Sequence, residues 1–183
     1  MILNTLSALV LPETFSPYFK PKTVAAKTIL LEEGAVARHA FLIKNGCLRL
    51  WFNDHGRDIT FQFFFEGEFV SSLESFRSGL PSNFFLESIE PSVLEYITKK
   101  DFQSIIEKSG QVKNEVEEHI FQRLVFYQQL FLSRIRDNPE QRYKNMLTQY
   151  PKILQRVPQH YIASYLGITS VSLAGSETGN NIT

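Results

Sequence analysis

A single cysteine, Cys47, stands in the whole chain. No intramolecular disulfide can form, and an iron–sulfur cluster would need more thiolates than one. Net charge is missing too: 19 Lys and Arg balance 19 Asp and Glu across 183 residues. That excludes a general basic coat for nucleic acid, though not a local basic patch. The apolar start, MILNTLSALVLPETF, has no basic leader and no small-residue cleavage site. It is also too short to span a bilayer. The expectation is a cytoplasmic protein with no membrane partner, its N-terminus a short helix packed on the body. Low-complexity segments and internal repeats are absent as well.

Catalytic and metal-binding signatures are equally scarce. The four histidines, His39, His55, His119 and His160, are scattered and include no His-x-His pair. A cupin-type metal site, which any β-roll brings to mind, therefore lacks its ligands. His55 falls in a turn and reads as a solvated residue. No Gly-rich P-loop, Gly-x-Ser-x-Gly elbow or Cys–His nucleophile pair occurs. The expectation is a protein that is not an enzyme and needs no cofactor and no metal.

What the chain does have is phenylalanine, 16 residues of it, and aromatic side chains bury enough area for a substantial core. From Thr28 to Thr98 the texture is β. HAFLIKNGCLRLWF is two apolar runs around Asn45-Gly46, a strong hairpin signal, and NDHG marks a second turn. In RDITFQFFF, Ile59, Phe61, Phe63 and Phe65 alternate with Thr60, Gln62 and Phe64, the period of a half-buried strand. NFFLESIEPSVLEYIT supplies two more strands around Glu90-Pro91. At Lys99 the period changes to that of helices: KKDFQSIIEKSG is short, and QVKNEVEEHIFQRLVFYQQLFLSRIRD runs on without Pro or Gly until Asn138-Pro139. At 1.5 Å per residue the second is roughly 40 Å long. PEQRYKNMLTQYP and PQHYIASYLGI read as two further helices.

The expected fold is α+β. It comprises N-terminal helices and a β-roll over 1–110, a long helix over 111–137 and a small helical domain over 138–183. Along the long helix Val112, Val116, Ile120, Leu124, Tyr127, Phe131 and Ile135 recur at three- and four-residue spacing. Such a stripe can pack on its own roll or on a second copy of the chain. A homodimer through Val116, Ile120, Leu124, Tyr127 and Phe131 is the expectation.

This order of elements resembles the bacterial cyclic-AMP receptor and Fnr (Crp/Fnr) family of transcription regulators. LLEEGAVARHAFLIKNGCLRLWF is similar to the first half of the family's cyclic-nucleotide-binding-type β-roll, a double-stranded β-helix or jelly roll. FFEGEFVSSLESF sits where the family has its phosphate-binding cassette, and VPQHYIASYLGITSVSL resembles its winged helix-turn-helix. The resemblance implies a DNA-binding transcription regulator, dimeric through the long helix, with a small-molecule effector and RNA polymerase among its partners. The alternative is a stand-alone module that senses a small ligand or binds a protein, without DNA binding.

In the cassette, the resemblance implies a ligand site at Gly67, Glu68, Phe69, Val70, Ser71, Ser72, Ser82 and Asn83. Gly67 to Val70 match the family pattern. Ser71 and Ser72 stand where it has Gly-Glu, and Ser82 and Asn83 where an Arg that neutralises a cyclic phosphate would stand. An uncompensated phosphate in a closed pocket is costly. Arg77 is the one cation in the loop. The effector is therefore expected not to be cyclic AMP, and Phe69, Phe84 and Phe85 are candidates to line a different pocket.

In the helix-turn-helix, Ile162, Ala163 and Leu166 form an inner face, Gly167 makes the turn, Ile168 plugs the core and Thr169 caps the next helix. DNA contacts are expected from Thr169, Ser170, Val171 and Ser172. Arg142, Lys144, Lys152 and Arg156 are candidates for phosphate contacts. After Leu173 the family pattern stops: AGSETGNNIT has no basic residue and little apolar content. The domain is expected to be incomplete beyond about 173, its C-terminus truncated or replaced, with DNA binding impaired.

Overall fold

A computed structural model describes residues 13–168. After a 3-10 turn at Glu13–Tyr18 come β1 (Lys20–Val24), β2 (Ile29–Leu31), β3 (His39–Asn45), β4 (Leu48–Asp54), β5 (Arg57–Phe64) and β6 (Phe69–Val70). A one-and-a-half-turn helix α1 (Leu73–Ser78) then leads to β7 (Phe85–Ser88) and β8 (Ser92–Thr98). Five helices are described thereafter: α2 (Lys99–Lys108), α3 (Gly110–Arg136), α4 (Pro139–Gln149), α5 (Ile153–Arg156) and α6 (Gln159–Leu166). The strands form two four-stranded antiparallel sheets, ordered β1-β8-β3-β6 and β2-β7-β4-β5. Ile43, Leu48, Leu50, Leu86 and Leu94 fill the space between them.

The expected Asn45-Gly46 hairpin is not one. β3 and β4 lie in different sheets, and the chain crosses between them there. Gly46 takes φ 116°, and a Cβ on it would sit within 2.8 Å of the Ser92 Cα. Glycine is needed because backbone passes backbone, not because the strands pair. The Glu90-Pro91 break is a second crossing of the same kind, from β7 to β8. The NDHG turn does close a hairpin. His55 and Gly56 both take positive φ, 53° and 87°, between the paired residues Asp54 and Arg57. That is the two-residue geometry favoured by strand twist.

Two strand readings change. β1 precedes the expected β region; it is an edge strand, where Pro21 costs no ladder bond. In β5 the alternation fails at Phe61, which forms a bulge opposite Leu50 and Trp51. Thr60, Gln62, Phe63 and Phe64 are buried, while Ile59 and Phe61 are half-buried. Both faces of this strand are covered, one by α3 and the other by α6, so no single face carries the apolar set.

The helices start and stop where local chemistry demands. Thr98 accepts from the Asp101 N–H to cap α2, Ser109 caps α3 and Asn138 caps α4 with Pro139 in its first turn. Ala37, Ala40, Phe76, Ile97, Ile105, Val112 and Val116 join α1, α2 and α3 to the roll. A third cluster, with Phe63, Tyr143, Met146, Ile153, Ile162 and Leu166, holds the C-terminal helices against the other sheet.

Candidate ligand-binding site

A cavity of about 250 Å³ lies between the roll and α3. Strands supply Leu50, Phe61 and Phe64 to its wall, and the β6–α1 segment supplies Phe69, Val70, Ser71 and Ser72. Phe84, Phe102, His119, Ile120, Arg123 and Tyr127 complete much of the rest. Phe61 is the pivot of this lining. Its bulge turns the ring inward, 4.9 Å from Phe84 and 5.4 Å from Tyr127.

The positive charge comes from an unexpected place. Arg123, on α3, is buried beside the cavity with its guanidinium 5.1 Å from the Phe64 ring. Glu68 lies next to it, with Oε1 3.8 Å from an Arg123 terminal nitrogen and Oε2 accepting the Phe65 N–H at 2.8 Å. Burial pushes the Glu68 carboxyl above its usual range, against the Phe65 hydrogen bond and the Arg123 charge. Burial likewise raises the Tyr127 hydroxyl, opposed by Arg123.

The expected ligand residues divide. Phe69, Val70, Ser71 and Ser72 line the cavity, and Glu68 touches it through Arg123. Gly67 takes φ 84° in the turn before β6, outside the lining. Ser82 is buried in its own loop: its hydroxyl donates to Phe84 O and accepts the Phe84 N–H, and its backbone bonds Gly34 and Ala35. Asn83 is exposed. Neither Ser82 nor Asn83 lines the cavity, because the loop folds on Gly34 rather than over the space. Phe84 is in the wall, but Phe85 points elsewhere and stacks on Trp51 at 4.1 Å. Arg77 is exposed and does not fold inward. Arg123 was legible in the sequence as a charge on an apolar stripe, four residues before Tyr127 and seven after Val116.

The long-helix stripe divides too. Val116 is buried and Ile120 and Tyr127 are half-buried against the chain's own roll. Leu124 and Phe131 are 62% and 66% exposed. Phe121 and Ile135 share that outer face.

Near the C-terminus, Ile162, Ala163 and Leu166 are buried, and Gly167 ends α6 in the left-handed conformation. Ile168 N–H returns to Ala163 O. Thr169, Ser170, Val171 and Ser172 lie outside the described residues, as does the stretch around Leu173. Of the candidate phosphate contacts, Arg156 pairs with Glu66 and Glu90 on the roll. Arg142 donates to Asp137 O and Leu166 O, and Lys144 pairs with Glu140. Lys152 is exposed. Among the described residues no helix is long and apolar enough to cross a membrane, and no group of three or more His, Cys, Asp or Glu side chains could hold a metal ion.

Residues 21–109 match the cyclic nucleotide-binding domain family. No curated protein matches the sequence. Among solved structures the chain is similar to FixK2 from Bradyrhizobium japonicum, at 14% identity and TM-score 0.77, over 88% of this chain and 83% of that one. It is similar to CLP of Xanthomonas campestris, a c-di-GMP responsive global regulator, at 15% identity and TM-score 0.74, over 91% and 88%. A CooA mutant from Carboxydothermus hydrogenoformans gives 15% identity and TM-score 0.70, over 92% and 78%. At these identities the likeness is one of fold.

Proposed function

We propose that this chain is a homodimeric transcription regulator of the Crp/Fnr type, whose roll senses a small molecule other than cyclic AMP. The observation that carries the reading is the order of parts: a cyclic nucleotide-binding roll, one long helix and a capped helical domain, superposable on FixK2 and CLP over about nine-tenths of the chain. On this reading 1–110 is the sensor, 111–137 the dimerisation helix and 138–183 the DNA-binding domain. CLP is named as a regulator of gene expression, which supports the same role here. A ligand other than cyclic AMP is supported by Ser72, which stands in place of the family's Glu, by Ser82, which cannot pair with a phosphate as Arg would, and by a cation that comes from α3 instead of the cassette.

Phe121, Leu124, Gln128, Phe131 and Ile135 follow a three-four spacing on the exposed face of α3, the period of a two-stranded seam. A two-fold pair through this seam sets two DNA-binding heads in register. Base contacts then fall to Thr169, Ser170, Val171 and Ser172. No Lys or Arg occurs from Val157 to Thr183, and each bidentate base contact that such a residue would make is worth about 1–3 kcal/mol of discrimination. The chain as it stands is expected to bind DNA weakly and with little sequence preference, at the roughly micromolar or weaker level of non-specific binding. A competition gel shift on the gene's upstream region checks this. Replacing the residues after Leu173 by a basic recognition-helix end and a β-wing is expected to raise affinity sharply. A folded chimera that gains none counts against the DNA-binding reading, and nanomolar selective binding by the unaltered chain would show that Ser170 to Ser172 suffice.

A further inference from the structure

We infer that the cavity beneath α3 takes a small aryl monocarboxylate, its carboxylate on the Arg123 guanidinium and its ring among the phenylalanines. The inference rests on the reading of the roll as a sensor and names its ligand class. Arg123 is the first ground. Its side chain is 9% exposed and lines the cavity, with the Tyr127 hydroxyl and the Glu68 carboxylate beside it, yet neither terminal nitrogen finds an acceptor in good hydrogen-bond geometry among the described residues. Leaving such donors buried without acceptors is costly. Glu68, the neighbouring anion, stays 3.8 Å away, too far for a hydrogen bond, and spends its other oxygen on the Phe65 N–H. A planar carboxylate is the acceptor that matches the guanidinium fork in two parallel bonds.

The second ground is the wall. Phe61, Phe64, Phe69, Phe84, Phe102 and Tyr127 surround the space with aromatic faces and edges. Such a wall suits a ring in offset or edge-on contact and offers little to a sugar's hydroxyls. Size is the third. About 250 Å³ exceeds the roughly 150 Å³ of a cavity that holds one benzene. The surplus admits a short arm carrying the acid. A cyclic nucleotide fits the same space poorly, because Ser82 is turned into its own loop and Arg77 faces solvent.

The test is calorimetric titration of the full chain with 3-phenylpropanoate, with its neutral amide 3-phenylpropanamide, and with cyclic AMP. The acid is expected to bind at least tenfold more tightly than the amide, about 1.4 kcal/mol. In Arg123→Gln the acid falls to the level of the amide, which itself is unchanged. Equal binding of acid and amide by the unaltered chain overturns the proposal, whether or not the variant folds. So does an acid affinity unmoved in a folded Arg123→Gln. Binding of cyclic AMP alone overturns the ligand class but keeps the roll as a sensor. Binding of none of the three overturns the ligand class.

Discussion

Arg49 is a charged residue in the middle of the apolar run CLRLWF, and it is 1% exposed. Its Nε donates to Glu87 at 2.9 Å, and its terminal nitrogens reach Glu87, Thr60 and Asp58 at 2.7, 3.2 and 3.2 Å. The guanidinium lies 3.6 Å from the Tyr161 ring centre, so α6 closes over it. Taking such a charge out of water is costly, and the pair is weak evidence of net stability. Breaking it is another matter, since Glu87 is itself buried. Arg49→Leu is expected to lower unfolding free energy by about 3–5 kcal/mol, because it strands that carboxylate. Urea unfolding of Arg49→Leu, Glu87→Leu and the double variant checks this. The double variant should recover much of the loss; if it is as unstable as the sum of the singles, the pair is not what couples them.

At the scale of the element, α3 carries two apolar faces side by side. Val112, Val116, Ile120, Arg123 and Tyr127 turn to the roll and cavity, while Phe121, Leu124, Phe131 and Ile135 turn outward. Its sequence shows a broad apolar set, and spacing alone does not divide it, because three- and four-residue steps fit both faces. Substitutions separate the two. Leu124→Glu is expected to shift sedimentation from dimer to monomer with the urea midpoint of the isolated monomer little changed. Val116→Glu, which buries an unpaired charge, is expected to unfold the roll instead. Monomeric behaviour of the unaltered chain at tens of micromolar would remove the seam.

At the scale of the whole molecule, the C-terminal helices are docked on the outer face of the β2-β7-β4-β5 sheet. Ser164 accepts the Thr60 N–H at 2.7 Å and donates to Asp58 O at 2.8 Å, and Tyr165 packs 5.3 Å from Phe63. Arg156 clamps Glu66 and Glu90 from α5. Burial raises the Glu66 carboxyl, but Arg156 and the backbone N–H groups of Gly46 and Glu66 more than offset it and hold it at about 2, against an ordinary 4.5. A carboxyl lowered on folding contributes stability that is present above its unfolded value and lost as pH falls through its folded one. The Glu66 contribution is therefore expected whole above about pH 5 and lost between about pH 4.5 and 2. Glu90, Cys47 and Arg156 face the same spot, and other carboxyls also protonate there. The readout is thus the difference in urea stability between the unaltered chain and Glu66→Gln. That difference should shrink toward zero across the window; a difference constant with pH would mean the clamp does not act through the Glu66 charge.

The sequence by itself determined the order of the main elements, from β-roll to long helix to short helices, though not β1 or α5. Caps at Thr98, Ser109 and Asn138 and the β-to-helix change of period at Lys99 are local, written within a few residues of where they act. The helix α6 likewise stands where its apolar pattern puts it. Tertiary structure decided everything that depends on two distant segments meeting. Gly46 serves a crossing between sheets because Ser92 passes against it, and a hairpin signal cannot report a residue so far along the chain. Ser82 turns away from the cavity because Gly34 and Ala35 claim its backbone. Arg123 reaches the cavity because α3 lies across the roll. A side chain's burial, partner and charge state are set by what packs on it, and neither spacing nor composition records that.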